Sequence, residues 1–481
     1  MEGRSLDYVI IAVYLIGIAV FGIISGGRQS SVKDYFLGSK AIPWWAICFS
    51  IVAAETSTLT FISIPGLSYL TNLNFLQVTF GYLLGRIIVA AFFLPAYYKG
   101  ELKTAYTYLE NRFGSKTRNY ASIVFLLTRT AADGVRLFAT AIPLKLLLNI
   151  NYPAAIVIIA VVSLAYTYTG GIKGIIWADV IQMFIYIFGA LLAGIFILKL
   201  LPQGWDSVML DASGGNKFQV FNLGFSGTIK NFFNDPYTLI GGILGGTFLS
   251  MASHGTDQLI VQKLLAAKNL KESKKAVIGS GVIVILQFVL FLLLGVMLYA
   301  YYGRIELKPD EIFPYFIIHA LPPGVSGIII AGLFAAAMST LAASMSSLSS
   351  STMMDLFQPV FGSKGKELFI PRIITLFWAA ILVLSALFFM NTSTAVVELA
   401  LSIASFTYGG LLGTFLLGLF IRKAQETNAL VGFTLGIIVM IFVISFKLVA
   451  WTWYTIIGVA VTLLSGYLTS FITTKQIRDY K

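Results

Sequence analysis

The chain has 481 residues, of which 58% are hydrophobic, 14% are aromatic and 11% are charged. A composition this apolar excludes a soluble domain and is typical of a polytopic membrane protein. The net charge of +12 would suggest nucleic-acid binding in a soluble protein. Here the basic residues can be assigned to the two sides of a membrane instead, which excludes a nucleic-acid partner.

Apolar segments long enough to cross a hydrocarbon layer of about 30 Å recur along nearly the whole chain. They predict an all-α protein that forms a single membrane domain in the lipid bilayer. We predict thirteen transmembrane helices, at residues 6–24, 45–70, 75–98, 121–148, 153–170, 175–200, 237–262, 276–302, 325–356, 370–390, 395–421, 428–446 and 451–473. Arg4 is flanked by Glu2 and Asp7 and no small-x-small cleavage site follows the first span, so we interpret that span as a retained helix rather than a signal peptide.

The distribution of basic residues predicts the orientation of these helices. With the N-terminus outside, the cytoplasmic segments hold about 22 of the 33 Lys and Arg residues, including clusters at 99–118 and 263–275. The outside segments hold about six, which are Arg4, Lys217, Lys230, Arg304, Lys308 and Lys447. This asymmetry predicts a multi-pass protein of the plasma (inner) membrane, with its N-terminus outside and its C-terminus in the cytoplasm.

Several kinds of chemistry lack the residues that they require. The single cysteine, Cys48, cannot form an intramolecular disulfide, and two histidines, His254 and His319, exclude a Cys/His metal cluster. The sequence has neither a Gly-x-Ser-x-Gly elbow nor a phosphate-binding Walker loop. We therefore expect neither a membrane hydrolase nor an ATP-driven pump, and we expect no organic cofactor.

The second predicted span carries a carboxylate in its middle. Glu55 lies within the otherwise apolar, small-residue segment AAETSTLTFISIPG (53–66). A central ionised group costs roughly 2.5 to 3.5 kcal/mol or more in a bilayer, so such residues are usually retained for a solute or ion path. The polar residues beside Glu55 and the later Pro65-Gly66 pair indicate an interrupted helix, as in transporters built from inverted repeats.

Two later spans carry related signals. The seventh contains GGILGGTFLSMASHGTD (241–257), in which unwinding would free carbonyls for ions, although close helix packing explains the glycines equally well. In the ninth, hydroxyl residues occupy nine of the fourteen positions from Ser339 onward. Ser339 and Thr340, with the carbonyl of Ala336, offer three hard oxygen ligands for Na⁺ from one helix. Serine and threonine also bond back to their own helix, which is the alternative interpretation.

Four motifs, in this order, resemble the sodium:solute symporter superfamily, which includes sodium-glucose, sodium-proline and sodium-sialic acid cotransporters. They are AAETSTLTFISIPG (53–66), TGGIKGIIWADVIQ (169–182), GTDQLIVQKLLAAKN (255–269) and AAAMSTLAAS (335–344). The resemblance implies a leucine-transporter-type core of two inverted five-helix repeats with broken helices. Within the single domain 1–481, these parts would be a first helix and loop at 1–44, the repeats at 45–200 and 237–421, and two further helices at 428–473.

The resemblance also implies a sodium site between the second and ninth spans. Its ligands would be the carbonyls of Ala53, Thr56 and Ala336 and the hydroxyls of Ser339 and Thr340. All five positions are filled by chemically suitable residues.

Some members of the superfamily have a second sodium site, formed by an aspartate that matches Asp179 and by hydroxyls one turn further along the ninth span. Those hydroxyl positions hold Ala342 and Ala343 here, so we predict one coupled sodium ion. Asp179 would then contact the sodium ligands without binding the ion itself, act as a gating residue, or form an ion pair near the cytoplasmic end of the sixth span.

By resemblance, the solute is expected beside the break in the second span. The candidate solute-binding residues are Glu55, Ser57, Thr60, Thr79 and His254. Proline-transporting relatives carry a carboxylate at the position of Glu55, whereas sugar-transporting relatives usually carry an amide. Glu55 therefore favours a zwitterionic or amine-bearing solute, and sodium-coupled sugar or carboxylate uptake is the alternative.

Four other charged residues fall within predicted spans: Arg86, Arg129, Asp133 and Arg136. The last three share one helical face, at positions i, i+4 and i+7. We favour a structural ion-pair network, and the alternative is an arginine that clamps a substrate carboxylate. Asp133 and Arg136 are also candidates for gating.

These features together predict sodium-coupled uptake of a small polar organic solute by alternating access. One charge crossing ~100 mV contributes about 2.3 kcal/mol and a tenfold sodium gradient about 1.4 kcal/mol, enough for a few-hundredfold accumulation of a neutral solute. A passive channel or uniporter would lack a well-formed sodium site. A membrane sensor would need a cytoplasmic output domain, which we do not expect in the few residues after the last predicted span.

Overall fold

The structure, a computed structural model, describes residues 4–100, 102–148, 150–224, 228–362, 368–391 and 396–479. These residues form helices, and no strand occurs among them beyond one parallel bridge between Ile42 and Ala267. By length and composition, eight described helices could cross a membrane, or nine if the broken second span counts as one. The all-α membrane class is confirmed, while the number of thirteen spans stays a prediction.

The described helices follow one another with short connections. The first eleven are α1 (Ser5–Gly26), α2 (Val32–Leu37), α3 (Trp44–Glu55), α4 (Thr58–Leu70), α5 (Leu76–Ile88), α6 (Leu94–Lys99), α7 (Ala105–Arg112), α8 (Ser115–Leu148), α9 (Tyr152–Leu200), α10 (Trp205–Ser213) and α11 (Ile229–Asn234). A 3₁₀ turn at Gly38–Lys40 follows α2, and a π-helical turn at Val89–Phe93 joins α5 to α6, so that the third predicted span is one continuous element.

The remaining helices are α12 (Leu239–Gly255), α13 (Gln258–Leu265), α14 (Leu270–Tyr302), α15 (Pro309–His319), α16 (Val325–Ser351), α17 (Gln358–Phe361), α18 (Phe369–Phe388), α19 (Val396–Phe420), α20 (Glu426–Ser445) and α21 (Tyr454–Asp479). A π-helical turn at Thr352–Phe357 joins α16 to α17. Short 3₁₀ turns occupy Phe389–Asn391 and Trp451–Trp453.

The fifth and sixth predicted spans meet at a kink inside α9. At Gly171 the backbone has φ 56° and ψ −160°, a conformation that glycine adopts without steric cost. A Cβ atom at this position would lie 2.7 Å from the carbonyl oxygen of Tyr35. Both observations explain why glycine stands at this turn of the chain.

The hydroxyl-rich helix α16 lies in the centre of the molecule. All but two of its 27 residues are buried, and it packs against α1, α3, α8 and α9. Its small Ala, Ser and Gly side chains allow this close approach. The carboxylate of Asp7 accepts hydrogen bonds from Gly327 N at 2.9 Å and Ser326 Oγ at 2.7 Å, which places an anion at the N-terminus of α16, where the helix dipole stabilises it.

The glycines of the seventh predicted span serve helix packing. A Cβ at Gly246 would lie 2.2 Å from Val78 O, and one at Gly81 would lie 2.3 Å from Ile243 O. The backbones of α5 and α12 therefore touch where the glycines stand. The interruption that we predicted in this span falls after the glycines, between the end of α12 at Gly255 and the start of α13.

Candidate functional site

The second predicted span is broken between α3 and α4, whose axes are bent by 66°. Thr56 (φ −81°, ψ 96°) and Ser57 (φ −84°, ψ 167°) have extended backbones. Their hydroxyls can compete with helical hydrogen bonds, and Thr56 Oγ1 donates to Val52 O at 2.8 Å. Within the described part of the chain, no backbone N–H donates to the carbonyls of Ala53 or Thr56, which leaves both oxygens available to a cation.

The break faces the hydroxyl-rich helix α16. Thr340 Oγ1 lies 3.2 Å from Ala54 O and 3.2 Å from Ala336 O. Ser339 Oγ is buried near the carboxylate of Asp179 and forms no hydrogen bond of standard geometry with any described residue. A buried hydroxyl without such a bond is uncommon, and a cation beside it would satisfy it. The structure thus brings together the two elements of the expected sodium site, while the ligand set stays a prediction.

Two buried side chains support the break, and the sequence analysis missed both. Gln287 Nε2 on α14 donates to Thr56 Oγ1 at 2.7 Å, and Tyr186 Oη on α9 donates to Gln287 Oε1 at 2.9 Å. The available signal was the isolated amide of Gln287 within the apolar run 282–295. A buried amide in a membrane helix needs a partner, and here that partner holds the extended segment in place.

Asp179 is buried in an ion pair. Its carboxylate accepts hydrogen bonds from Lys263 Nζ at 2.7 Å and Ser50 Oγ at 2.6 Å, which connects α3, α9 and α13. The sequence predicts Lys263 in the basic loop 263–275, but the structure places it in α13 with 1% of its surface exposed. Its apolar neighbours in the sequence were the signal that this lysine does not belong to a solvated loop.

The charged face of α8 forms the expected ion-pair network. Arg129 Nε lies 2.5 Å from Asp133 Oδ2, and Arg129 Nη1 lies 3.1 Å from Asp257 Oδ2. Tyr408 Oη on α19 donates to the same Asp257 oxygen at 2.8 Å. Arg129 thus bridges two carboxylates and is structural.

Arg136 occupies a different position on this face. Its Nη1 is 3.4 Å from Asp133 Oδ1, and a quarter of its side chain is exposed. The exposed part lines the cavity described next.

A cavity of about 520 Å³ begins at the helix break, a volume suited to a small organic solute. Its polar lining consists of Glu55, Ser57, Thr60, Ser63, Thr71, Tyr82, Arg136, Tyr237, Ser253, Ser405, Tyr408 and Asp310, and its large apolar lining includes Phe75, Phe288 and Trp451. The cavity extends to Pro309 and Asp310 at the start of α15, in a segment that the sequence places outside.

Three of the five predicted solute-binding residues line this cavity: Glu55, Ser57 and Thr60. The other two do not. Thr79 is fully buried, and its Oγ1 donates to Leu76 O at 2.8 Å within α5. His254 is 1% exposed, with Nδ1 2.8 Å from Ser253 Oγ. The structure thus does not bring Thr79 and His254 to the cavity, because both side chains are held in hydrogen bonds within their own helices, and Ser253 lines the cavity instead.

The charge of Glu55 is already balanced. Its carboxylate pairs with the guanidinium of Arg86 from α5, which is fully buried, and His254 Nε2 lies 3.6 Å away. Arg86 Nη1 also donates to Ser280 Oγ at 2.8 Å. A carboxylate bound to a buried arginine is a poor partner for a substrate amine, so Glu55 does not favour an amine-bearing solute.

Replacing Arg86 by glutamine is expected to destabilise the protein by on the order of 3 kcal/mol, because Glu55 would lose its ion-pair partner. The double variant E55Q/R86Q is expected to recover most of this loss, since it leaves no unpaired charge. Apparent melting temperatures in detergent, measured for the two single variants and the double variant, would test this. If the double variant lost as much stability as the two single variants added together, the two side chains would not be coupled.

Comparisons with known proteins agree with this architecture. A sodium/sialic acid symporter of Aliivibrio fischeri is 30% identical over 98% of this chain and 94% of its own length. The human sodium-coupled monocarboxylate transporter 1 is 28% identical over 91% of this chain and 73% of its own. The solved structure of a sodium-coupled sialic acid symporter in a substrate-bound outward-open state has a TM-score of 0.88 at 26% identity, covering 97% of this chain and 98% of that one.

The structural likeness extends over nearly the entire chain, and the fold is of the leucine-transporter type. These relatives are transporters and not enzymes, and they are coupled to sodium. Residues 35–436 match the sodium:solute symporter family. The protein is therefore a multi-pass, sodium-coupled membrane transporter that belongs to the sodium:solute symporter family.

Proposed function

We propose that this symporter takes up a small organic solute that bears a carboxylate, that Arg136 binds this carboxylate, and that one Na⁺ crosses with it. The observation that carries the proposal is the position of Arg136. Arg136 is the one cationic side chain among the described residues that line the cavity at the helix break. Its contact with Asp133 is long, at 3.4 Å.

The network behind Arg136 allows it to change partners. A guanidinium can bind a carboxylate through two parallel N–H···O bonds. Asp133 keeps Arg129 on its other oxygen at 2.5 Å, and Ser344 also donates to that oxygen. A solute carboxylate can therefore take Arg136 without leaving a buried aspartate unpaired, which would otherwise be costly.

The names of two relatives also point to solutes that bear a carboxylate. Sialic acid and monocarboxylates both carry a carboxylate at neutral pH, and the proteins named for them are 30% and 28% identical to this chain. The hydroxyls of Ser57, Thr60, Ser63 and Ser253 in the cavity suit a solute that also carries hydroxyl or amide groups.

The proposed sodium ligands lie where α16 faces the helix break. They are the carbonyls of Ala53, Thr56 and Ala336 and the hydroxyls of Ser339 and Thr340. The free carbonyls and the Ser339 hydroxyl, which forms no hydrogen bond of standard geometry with any described residue, support this set. Ala342 and Ala343 offer no hydroxyl for a second sodium, and Asp179 already has Lys263 as its cation, which supports a single coupled ion.

The proposed arrangement in the plasma (inner) membrane is the one that the sequence predicts. It has thirteen helices, with the N-terminus outside, the C-terminus in the cytoplasm and inverted repeats at 45–200 and 237–421. The cavity reaches Asp310, which lies in a predicted outside segment, so solute would enter this conformation from outside.

Uptake into proteoliposomes would test the proposed function. Radiolabelled sialic acid and pyruvate are compared with an uncharged sugar and with proline, each with an inward sodium gradient and with potassium replacing sodium. We expect accumulation of a carboxylate that requires sodium. Equal counterflow without sodium would indicate a uniporter, and accumulation of only proline or the uncharged sugar would remove Arg136 from its proposed role.

Uptake of a monocarboxylate with one sodium ion moves no net charge. The membrane potential then contributes nothing, and a tenfold sodium gradient alone supplies about 1.4 kcal/mol, or about tenfold accumulation. We expect a valinomycin-induced potassium potential of ~100 mV to leave steady-state accumulation unchanged. With a second coupled sodium, one net positive charge would enter per cycle, so imposing that potential would add about 2.3 kcal/mol and raise accumulation about fiftyfold over the value without it.

A further inference from the structure

A second cavity lies away from the solute pathway, at the start of α14. It is a groove of about 810 Å³ whose walls are apolar. Three lysines stand around it, and we call Lys271, Lys274 and Lys275 the lysine rim. Three other lining residues, Trp44, Ile278 and Gly279, form what we call the apolar floor.

The rim and the floor follow each other along one face of α14. Residues 271, 274, 275, 278 and 279 have the spacing i, i+3, i+4, i+7 and i+8, which puts them on the same side of a helix. At 1.5 Å per residue, the face from the first to the last of them is about 12 Å long. The helix α14 is one of those apolar enough to cross a membrane, and the span predicted from the sequence begins at Ala276. The groove therefore straddles the change from charged to hydrocarbon-facing surface.

The protein itself neutralises only one of the three lysines of the lysine rim. Lys275 Nζ lies 3.2 Å from Glu272 Oε1 and 5.7 Å from the ring of Trp44. Neither Lys271 nor Lys274 has a carboxylate within ion-pair distance in the described part of the chain. The groove thus carries excess positive charge, which attracts an external anion.

Gly279 lets α14 lie close to the start of α3. A Cβ atom there would lie 3.2 Å from Cys48 Sγ and 3.7 Å from the ring of Trp44. The floor is therefore a closed, shallow apolar surface, on which an extended hydrocarbon chain can lie against Trp44 and Ile278.

We propose that this groove binds an anionic phospholipid of the surrounding leaflet, with its phosphate on the lysine rim and an acyl chain on the apolar floor. Cations at the headgroup level with an apolar surface directly below them match the two parts of such a lipid. Inorganic phosphate would use the rim alone, and a peptide would leave the membrane-level floor empty. The inference is independent of the solute and of the proposed sodium site.

Native mass spectrometry of the full chain would test this proposal. The purified protein is offered equal amounts of phosphatidylglycerol and phosphatidylcholine with matched acyl chains. We expect it to retain phosphatidylglycerol about tenfold or more in preference, and we expect K271Q/K274Q/K275Q to abolish the preference. The charge-conserving K271R/K274R/K275R is expected to keep it, which excludes misfolding as the cause of the loss.

Two further variants separate the groove from general basicity and from phosphate binding. The matched control K99Q/K103Q/K116Q removes three exposed lysines from another basic segment and is expected to retain the preference. G279L keeps the rim but pushes a large side chain between α14 and Trp44, which disrupts the apolar floor, and it is expected to lose bound phosphatidylglycerol. Equal retention of the two lipids by the wild type, an equal loss in the control triple variant, or full retention by G279L would each overturn the proposal.

Discussion

Replacing Ser339 and Thr340 together by alanine is expected to raise the sodium concentration for half-maximal uptake about a hundredfold. Each hydroxyl ligand contributes about 1 to 1.5 kcal/mol, or about tenfold in affinity, and the two losses add if both ligate the same ion. The structure supports a direct effect, because Ser339 Oγ is buried without a hydrogen bond of standard geometry to any described residue and Thr340 Oγ1 reaches Ala54 O at 3.2 Å.

The measurement is the initial uptake rate in proteoliposomes as sodium is varied at constant ionic strength with choline. S349A is the matched control, because Ser349 Oγ lies on the same buried helix and donates to Met345 O at 2.6 Å within it. We expect S349A to keep the wild-type sodium requirement. An unchanged requirement in S339A/T340A would place the coupled ion elsewhere.

Replacing Arg136 by glutamine is expected to lower the kcat/KM for carboxylate uptake about thirtyfold. Removing one partner of a desolvated, hydrogen-bonded charge pair costs on the order of 2 to 5 kcal/mol. The lower end applies here, since a quarter of the Arg136 side chain is exposed in the cavity. R136K should fall between wild type and R136Q, because lysine keeps the charge but not the two parallel N–H groups.

K145Q serves as the matched control for Arg136. Lys145 lies on the same helix, is exposed, and rests 4.3 Å from the ring of Tyr152, away from the cavity lining. Its removal changes the net charge of α8 by the same amount, and we expect uptake to stay within about twofold of wild type. If K145Q and R136Q reduced uptake equally, the loss would follow from removing a positive charge from α8, and not from a direct contact between Arg136 and the solute carboxylate. The melting temperature of R136Q should remain near that of wild type, because Asp133 keeps Arg129.

The balance of charges around the cavity explains why we favour a carboxylate over an amine. Glu55 pairs with Arg86, and Arg129 lies between Asp133 and Asp257. Arg136 is left with one long contact. An incoming carboxylate and one sodium ion together add no net charge to this low-dielectric region, whereas an amine would add uncompensated positive charge.

The helix break and its partner helix could be predicted from the sequence with good accuracy. Extended backbone falls at Thr56 and Ser57, within the polar stretch that the sequence places in mid-membrane. The hydroxyl-rich segment is the buried central helix α16. Both predictions rest on local properties, because hydropathy and competing hydroxyls act over a few residues.

The solute site could be predicted only in part. Ser57 and Thr60 face the cavity because they directly follow the break, and their position along α4 decides their direction. Thr79 and His254 lie on α5 and α12, which pack glycine against glycine, and both side chains are buried in hydrogen bonds within their own helices. When a helix is apolar on all sides, its packing against neighbouring helices decides which face points to the cavity. The spacing of its apolar residues does not reveal that face.

The sequence by itself determined the membrane class, the helical fold, the interruption at Glu55 and the hydroxylated central helix, since each follows from residues close together in the chain. Only the tertiary structure decided which charges are free to meet a solute. Arg86 is 31 residues from Glu55, Lys263 is 84 from Asp179, and Asp257 is 128 from Arg129. A buried charge takes whichever counter-charge the packing of distant helices brings within reach, so its partner depends on three-dimensional proximity rather than on sequence spacing.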